Sequence, residues 1–444
     1  MNITFKTFCL VFVIPLTLFA QPEKPLLGYW EGAFIKNNAY QKVNIRFYKK
    51  GKKLVAFQYM EEWYPSFGEF GVVATQDTLG NTLFNTGYGK AKVRVDVKNQ
   101  EIIGQIIDSN PSIYIHLKKS PPPPDNYYTV KPITFKNKEI TLQGHLHVPT
   151  FGSRKTAIIL VGGRGCYAGN TQHDLYAKFF RKYGITTLVF NKRGTGKSTG
   201  DCSKATINNL ASDLVAAKKF LQKHPDKYQK IGVLGSSAGG WVMVKAQETT
   251  SFDFMISVVG PSTSVYEQQM QSLDYGAKFY QMNASTKKRV KDYTNMMFKA
   301  PANQASFQKF KKMLELAKKE DWLKILEGTD QPKNITGIDQ LWVRRHSYDP
   351  ANVLKKYSHP FLAIYGQRDW IVPYKENIAR LEQLFSGNRN KLLNTVIAHN
   401  AEHGMEMEGK YIQLPKGQSY WHFYRISPSV KIEILKFLRK YKLL

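Results

Sequence analysis

The sequence predicts an α/β protein built on a mostly parallel sheet with a helical insertion, preceded by a small all-β domain. Three observations carry this reading. From residue 156 onward, continuous apolar strand-like runs alternate with amphipathic helical runs, the pattern of a parallel sheet covered on both faces. Residues 26–118 instead hold short β-branched and aromatic runs separated by Gly, Asn, Asp and Lys turns. Between them stands a tetraproline, residues 121–124, which suits neither a helix nor a central strand and marks a boundary within a linker over 119–126.

Taken in order, the chain opens with Lys6 and an apolar segment, "FCLVFVIPLTLFA", that Pro15 interrupts and Ala20 ends. That is too short and too broken for a membrane span, so residues 1–20 read as a secretory signal peptide. The expected product is an exported protein, periplasmic or secreted, with no further transmembrane segment. Its remaining cysteines would be Cys166 and Cys202, and an oxidising compartment makes a bridge between them available. The full chain of 444 residues carries 64 Lys and Arg against 34 Asp and Glu, a net charge of +30. The lysines are spread out rather than gathered in a tract interleaved with aromatics. They read as solvated faces able to associate loosely with anionic envelope surfaces, and they argue against a specific nucleic-acid site.

In the first domain "KVNIRFY", "KLVAFQYM", "AKVRVDV", "EIIGQII" and "SIYIHL" are the strand candidates of a sandwich or barrel. In the second, residues 127–444, a strand-like stretch over 133–149 leads to "TAIILVGG" (156–163) and a helix in "QHDLYAKFFRKYG". Strand "ITTLVF" (185–190), helix "INNLASDLVAAKKFLQKH", strand "KIGVLG", a helix from about residue 238 and strand "DFMISVVG" (253–260) follow. The alternation then stops: residues 262–350 are polar, Lys-rich and helical in period, the mark of a helical cap insertion. Strands "HPFLAIYG" (359–366) and "LLNTVIA" (392–398) resume the sheet, and Ser427-Pro428 opens a closing helix.

The chemistry starts at Gly235-Ser236-Ser237-Ala238-Gly239, a G-x-S-x-G pattern between a buried strand and a helix. A sharp strand-to-helix turn there would present Ser237, and only small neighbours fit the close packing around it. A serine hydroxyl is a poor nucleophile until a base accepts its proton and a carboxylate holds that base. Partners follow in the expected chain order. Asp369 lies just past the strand in "FLAIYG", and the loop after "LLNTVIA" offers His399 and His403, of which His403, deeper in the loop and followed by Gly404, is the expected base. The loop after "AIILV" reads Gly162-Gly163-Arg164-Gly165, and the N–H groups of Arg164 and Ala238 are the expected oxyanion donors.

These motifs resemble those of the α/β-hydrolases, specifically exported bacterial members: "NKRGTGKSTGD" (191–201), "GSSAGG" (235–240), "GQRD" (366–369) and "EHG" (402–404), over residues 127–444. "GYWEGAF" (28–34) matches the "GxWxG" start of the N-terminal β domain that such members carry. The resemblance implies a carboxylic-ester or related acyl hydrolase with Ser237, Asp369 and His403 as triad and a small-molecule ester or acyl substrate. No cofactor is expected, and no metal, since the sequence has no cysteine cluster and no zinc-ligand spacing. "GGRG" departs from the commoner oxyanion loops.

Other readings compete. A serine peptidase would use the same groups, since the pocket and not the triad selects the leaving group. "GRGCYA" (163–168) fits a dinucleotide fingerprint, with Lys192-Arg193 placed to read a 2′-phosphate, which would make the chain an NADP-binding oxidoreductase. That reading gives no reason for the ordered Ser, Asp and His. "NKRGTGKS" resembles a phosphate-binding loop but has Asn191 where the first Gly belongs. A catalytically silent hydrolase fold acting as a basic binding module is the third class.

Overall fold

The computed structural model describes residues 25–36, 39–59, 69–86, 88–122, 128–152, 155–168, 171–326, 328–405 and 427–444. The signal peptide expected at residues 1–20 lies outside these, as does half of the linker expected over 119–126. The described residues divide into two compact units, one over 25–59 and 69–122, the other from residue 128 onward.

The first unit is a closed eight-stranded barrel: β1 (Gly28–Lys36), β2 (Ala39–Lys50), β3 (Lys53–Tyr59), β4 (Glu69–Gln76), β5 (Thr82–Thr86), β6 (Gly89–Asp96), β7 (Glu101–Ile106) and β8 (Tyr114–Ser120). Of the two architectures open to the sequence, this is the barrel. Each strand pairs antiparallel with the next, and β1 closes on β8, so no strand edge is left to template aggregation. Alternate residues fill the interior, Trp30, Phe34, Val43, Ile45, Phe47, Ile115 and Leu117 among them, as the two-residue period of a strand requires. The Trp30 indole N–H donates to the Leu26 carbonyl, so the buried ring leaves no bare donor. β8 runs through Ser120, two residues into the stretch expected as linker.

The second unit is built on a mixed eight-stranded sheet of order β16-β15-β14-β13-β11-β12-β10-β9. The hairpin β9 (Tyr128–Asn137) and β10 (Ile140–Pro149) is antiparallel, as is β10 against β12 (Thr186–Phe190). The rest run parallel: β11 (Thr156–Val161) between β12 and β13 (Lys230–Ser236), then β14 (Met255–Val258), β15 (Phe361–Gly366) and β16 (Leu393–Ala398). Ala157, Ile159 and Val161 face one core, shared with α2 (Ile207–Gln222) and α3 (Gly239–Ala246). Ile158 and Leu160 face the other, with α1 (Thr171–Arg181) and α10 (Pro428–Lys440). Burial on both faces is why these strands carry no polar alternation. Between β15 and β16 lies α9 (Tyr374–Leu384).

Residues 262–350 form α4 (Val265–Phe279), α5 (Ala284–Lys299), α6 (Gln304–Lys319), short 3-10 turns and α7 (Trp342–Arg345), with α8 (Ala351–Leu354) leading back to β15. Side-chain caps start the long ones: Ser264 and Glu267 form a reciprocal capping box at α4, and Asn283 and Asn303 cap α5 and α6. The expectation of a cap domain is corrected here. Val265, Leu273, Tyr293, Phe310, Trp322 and Trp342 pack into the same hydrophobic core as the sheet, so the insertion has no core of its own.

Candidate active site

β13 ends at Ser236, and the chain turns into α3 through Ser237, whose φ of +51° lies in the left-handed region that a side-chain-bearing residue occupies only under constraint. Two bonds hold the turn: the Ser237 N–H donates to the Val258 carbonyl at 3.0 Å, and the Gly240 N–H to the Ser237 carbonyl at 2.8 Å. The small neighbours are needed for close approach. A Cβ on Gly235 would stand 2.6 Å from the Gly239 carbonyl oxygen, and one on Gly239 would stand 2.4 Å from that of Val161.

Asp369 follows β15 and its carboxylate is fully buried. The Ile371 and Val372 N–H groups donate to its Oδ1 at 2.8 and 2.9 Å, and its Oδ2 lies 2.8 Å from Nδ1 of His403. An ionised carboxylate only accepts, so Nδ1 carries the proton and Nε2 is left as an acceptor. Nε2 stands 2.9 Å from the Ser237 Oγ. His399 is exposed, and it is His403 that joins the serine and the carboxylate. His346, a buried imidazole, is held near a pKa of about 3 by burial; it stacks on Trp342 with centroids 4.4 Å apart.

The loop after β11 lies against the serine: a Cβ on Gly163 would come within 2.9 Å of the Ser237 Cβ and 3.3 Å of its Oγ. Arg164, named for its N–H, sends its guanidinium to Asp330 and over the ring of Trp342, 4.4 Å from the centroid. Ala238, named as the second donor, is buried directly after Ser237 and precedes the first turn of α3. Cys166 and Cys202 are bonded, with Cα atoms 5.8 Å apart, which ties this loop to the one after β12.

The pair Lys192-Arg193 is used differently from the phosphate reading. The Lys192 ammonium donates to the carbonyls of Gly163 and Gly165, the latter at 2.9 Å. Arg193 makes a two-pronged contact with Asp213, Nε to Oδ2 and Nη2 to Oδ1, both at 2.8 Å. Both cations are thus spent on the protein itself. Nothing local in "NKRG" announces this, because the acceptors of Lys192 lie more than twenty residues earlier in the chain and Asp213 lies twenty residues later. Among the described residues, no group of three His, Cys, Asp or Glu is placed to hold a metal ion, and no helix is long and apolar enough to cross a membrane.

A strand-turn-helix serine, a strand-end aspartate and a loop histidine on this sheet define an α/β-hydrolase. The family model described as serine aminopeptidase, S33, matches residues 152–410, and the chain belongs to that family. It is similar to Esterase EstD of Thermotoga maritima, with 22% identity over 271 residues that cover 59% of this chain and 58% of that protein. The match therefore spans somewhat over half the length of that curated relative. Among solved structures, the Pyrococcus furiosus esterase Pf2001 aligns at 16% identity over 71% of this chain and 92% of its own, with a TM-score of 0.43. The α/β hydrolase GrgF from Penicillium sp. sh18 aligns at 17% identity over 71% of this chain and 100% of its own, with a TM-score of 0.44.

Proposed function

We propose that the protein hydrolyses carboxylic esters through an acyl-enzyme on Ser237. The observation that carries this reading is the continuous hydrogen-bond chain from Ser237 through His403 to the buried Asp369. The serine oxygen attacks the acyl carbon while Nε2 of His403 takes its proton, and the Asp369 carboxylate supports the imidazolium so formed. The carbonyl oxygen becomes an oxyanion facing the N–H groups of Arg164 and Ala238. Collapse of the tetrahedral adduct breaks the ester C–O bond, and the departing alcohol takes the proton from His403. Water then attacks the acyl-serine with His403 again as base, releasing the acid and restoring the serine.

The helical insertion supplies a wall for the acyl group. Two contacts support that role: Arg164 of the oxyanion loop meets Asp330 and Trp342, and Trp370, next to Asp369, packs against Phe279 and Tyr280. Export is supported by the Cys166–Cys202 bond, which an oxidising compartment preserves.

Replacing Ser237 by Ala is expected to lower turnover of a short-chain p-nitrophenyl ester by about four orders of magnitude or more with the fold intact. His403→Ala should lose nearly as much, and His399→Ala less than about twofold. Unchanged turnover in Ser237→Ala would refute the assignment. The family match favours one second reading, an aminopeptidase using the same groups. Turnover of aminoacyl p-nitroanilides at a kcat/KM above that of the matching esters would select it.

A further inference from the structure

We infer that Lys192 is a positioning residue that holds the oxyanion donor of Arg164 in place. This inference rests on the acyl-transfer reading above. The carbonyl of Gly163 and the N–H of Arg164 belong to one peptide unit, and in a trans peptide they point in opposite directions. The Lys192 ammonium donates to that carbonyl and also to the carbonyl of Gly165, so it grips the backbone on both sides of Arg164. Gly163 is pressed against Ser237, which brings this same peptide to the reacting centre.

Two effects follow. The grip fixes where the Arg164 N–H lies, and a cation pulling on the carbonyl polarises the peptide, making its N–H a better donor to the negative oxygen. The ammonium is itself partly desolvated, and burial pulls its pKa down to about 8, so keeping it there has a cost that a purely structural filler would avoid. Lys192 reaches the loop from the segment after β12, the segment that also carries Cys202. The loop is therefore clamped at Gly163 and Gly165 by charge and at Cys166 by a covalent bond. A lysine that only filled space would leave the transition state unaffected once the loop was otherwise anchored.

The test compares native protein with Lys192→Met, Lys192→Gln and Lys192→Arg on p-nitrophenyl butyrate, with melting temperature and near-UV circular dichroism as controls on the fold. Lys192→Met should lose about 10- to 100-fold in kcat, less than the loss of a donor itself, while KM changes less than about threefold. Lys192→Gln, a neutral donor, and Lys192→Arg, a charged one, should recover part of the loss, with Arg above Gln. If Lys192→Met does not fold, the order native, Arg, Gln carries the same prediction. Native-like kcat in the folded Met variant, or equal kcat in the Gln and Arg variants and native protein, would overturn it. So would a loss confined to KM. Ser237→Ala run alongside separates the two ideas: if it keeps native turnover, the acyl-transfer reading fails whatever Lys192 does.

Discussion

Ser237, Asp369 and His403 were readable from the chain because each sits at the end of an apolar strand, where a parallel sheet gathers its loops on one edge. His403 could be separated from His399 by depth in the loop, and the structure joins His403 to both partners. Lys192 was not readable as a loop clamp, because a lysine donating to carbonyls leaves no sequence pattern. The Arg164–Asp330 pair was equally hidden, since it crosses from the loop after β11 into the insertion. A prediction at this scale concerns Gly163. An added methyl group would fall 3.3 Å from the Ser237 Oγ and 2.9 Å from its Cβ, so loop or serine must give way. Gly163→Ala should lower kcat by about 100-fold with little change in melting temperature, because displacements near an ångström at a reacting centre carry that penalty. Steady-state kinetics and a thermal melt check it, and a native kcat would show that the loop yields freely.

At the scale of elements, the parallel strands were legible because burial on both faces leaves continuous apolar runs, and the helices because their apolar residues recur at helical period; Thr206, Ser264 and Asn283 cap the starts of α2, α4 and α5. β1 was read only as the motif "GYWEGAF", and β4 and β5 were missed: "EFGVVATQ" is interrupted by glycine and "TLFNT" is only five residues long, so neither rises above its surroundings. Closure of the barrel could not be foreseen, since β1 pairs with β8 across most of the domain and no local feature encodes that. The insertion was read correctly as helical, but its cohesion with the sheet is tertiary. Because Trp322 and Trp342 belong to the sheet's own core, deleting residues 262–350 would open that core, and single substitutions are the better probe. The disulfide acts at this scale too. It joins the loop after β11 to the loop after β12, so reducing it should lower kcat more than it raises KM, loosening a contact made mainly in the transition state. Kinetics before and after dithiothreitol, with thiol counting, test this; a change in KM alone would place the effect in substrate binding instead.

For the whole molecule, the division into an all-β unit and an α/β unit was legible in composition, since the alternating short runs end where the prolines begin. The net charge of +30 was legible as a number, and its use was not, because the structure spends several cations on internal acceptors: Lys192, Arg193, Arg164 and Arg344 all contact protein oxygens. Charge counted along a chain does not separate a buried clamp from a solvated face. The account as a whole stands on one covalent event, formation of a bond between the Ser237 oxygen and an acyl or acyl-like group. Intact mass and peptide mapping after treatment with a fluorophosphonate should find one adduct per chain, on the peptide that contains Ser237. The adduct should be absent from Ser237→Ala and slow to form in His403→Ala. Ester hydrolysis at native rate with the label on another residue, or with no label at all, would contradict it.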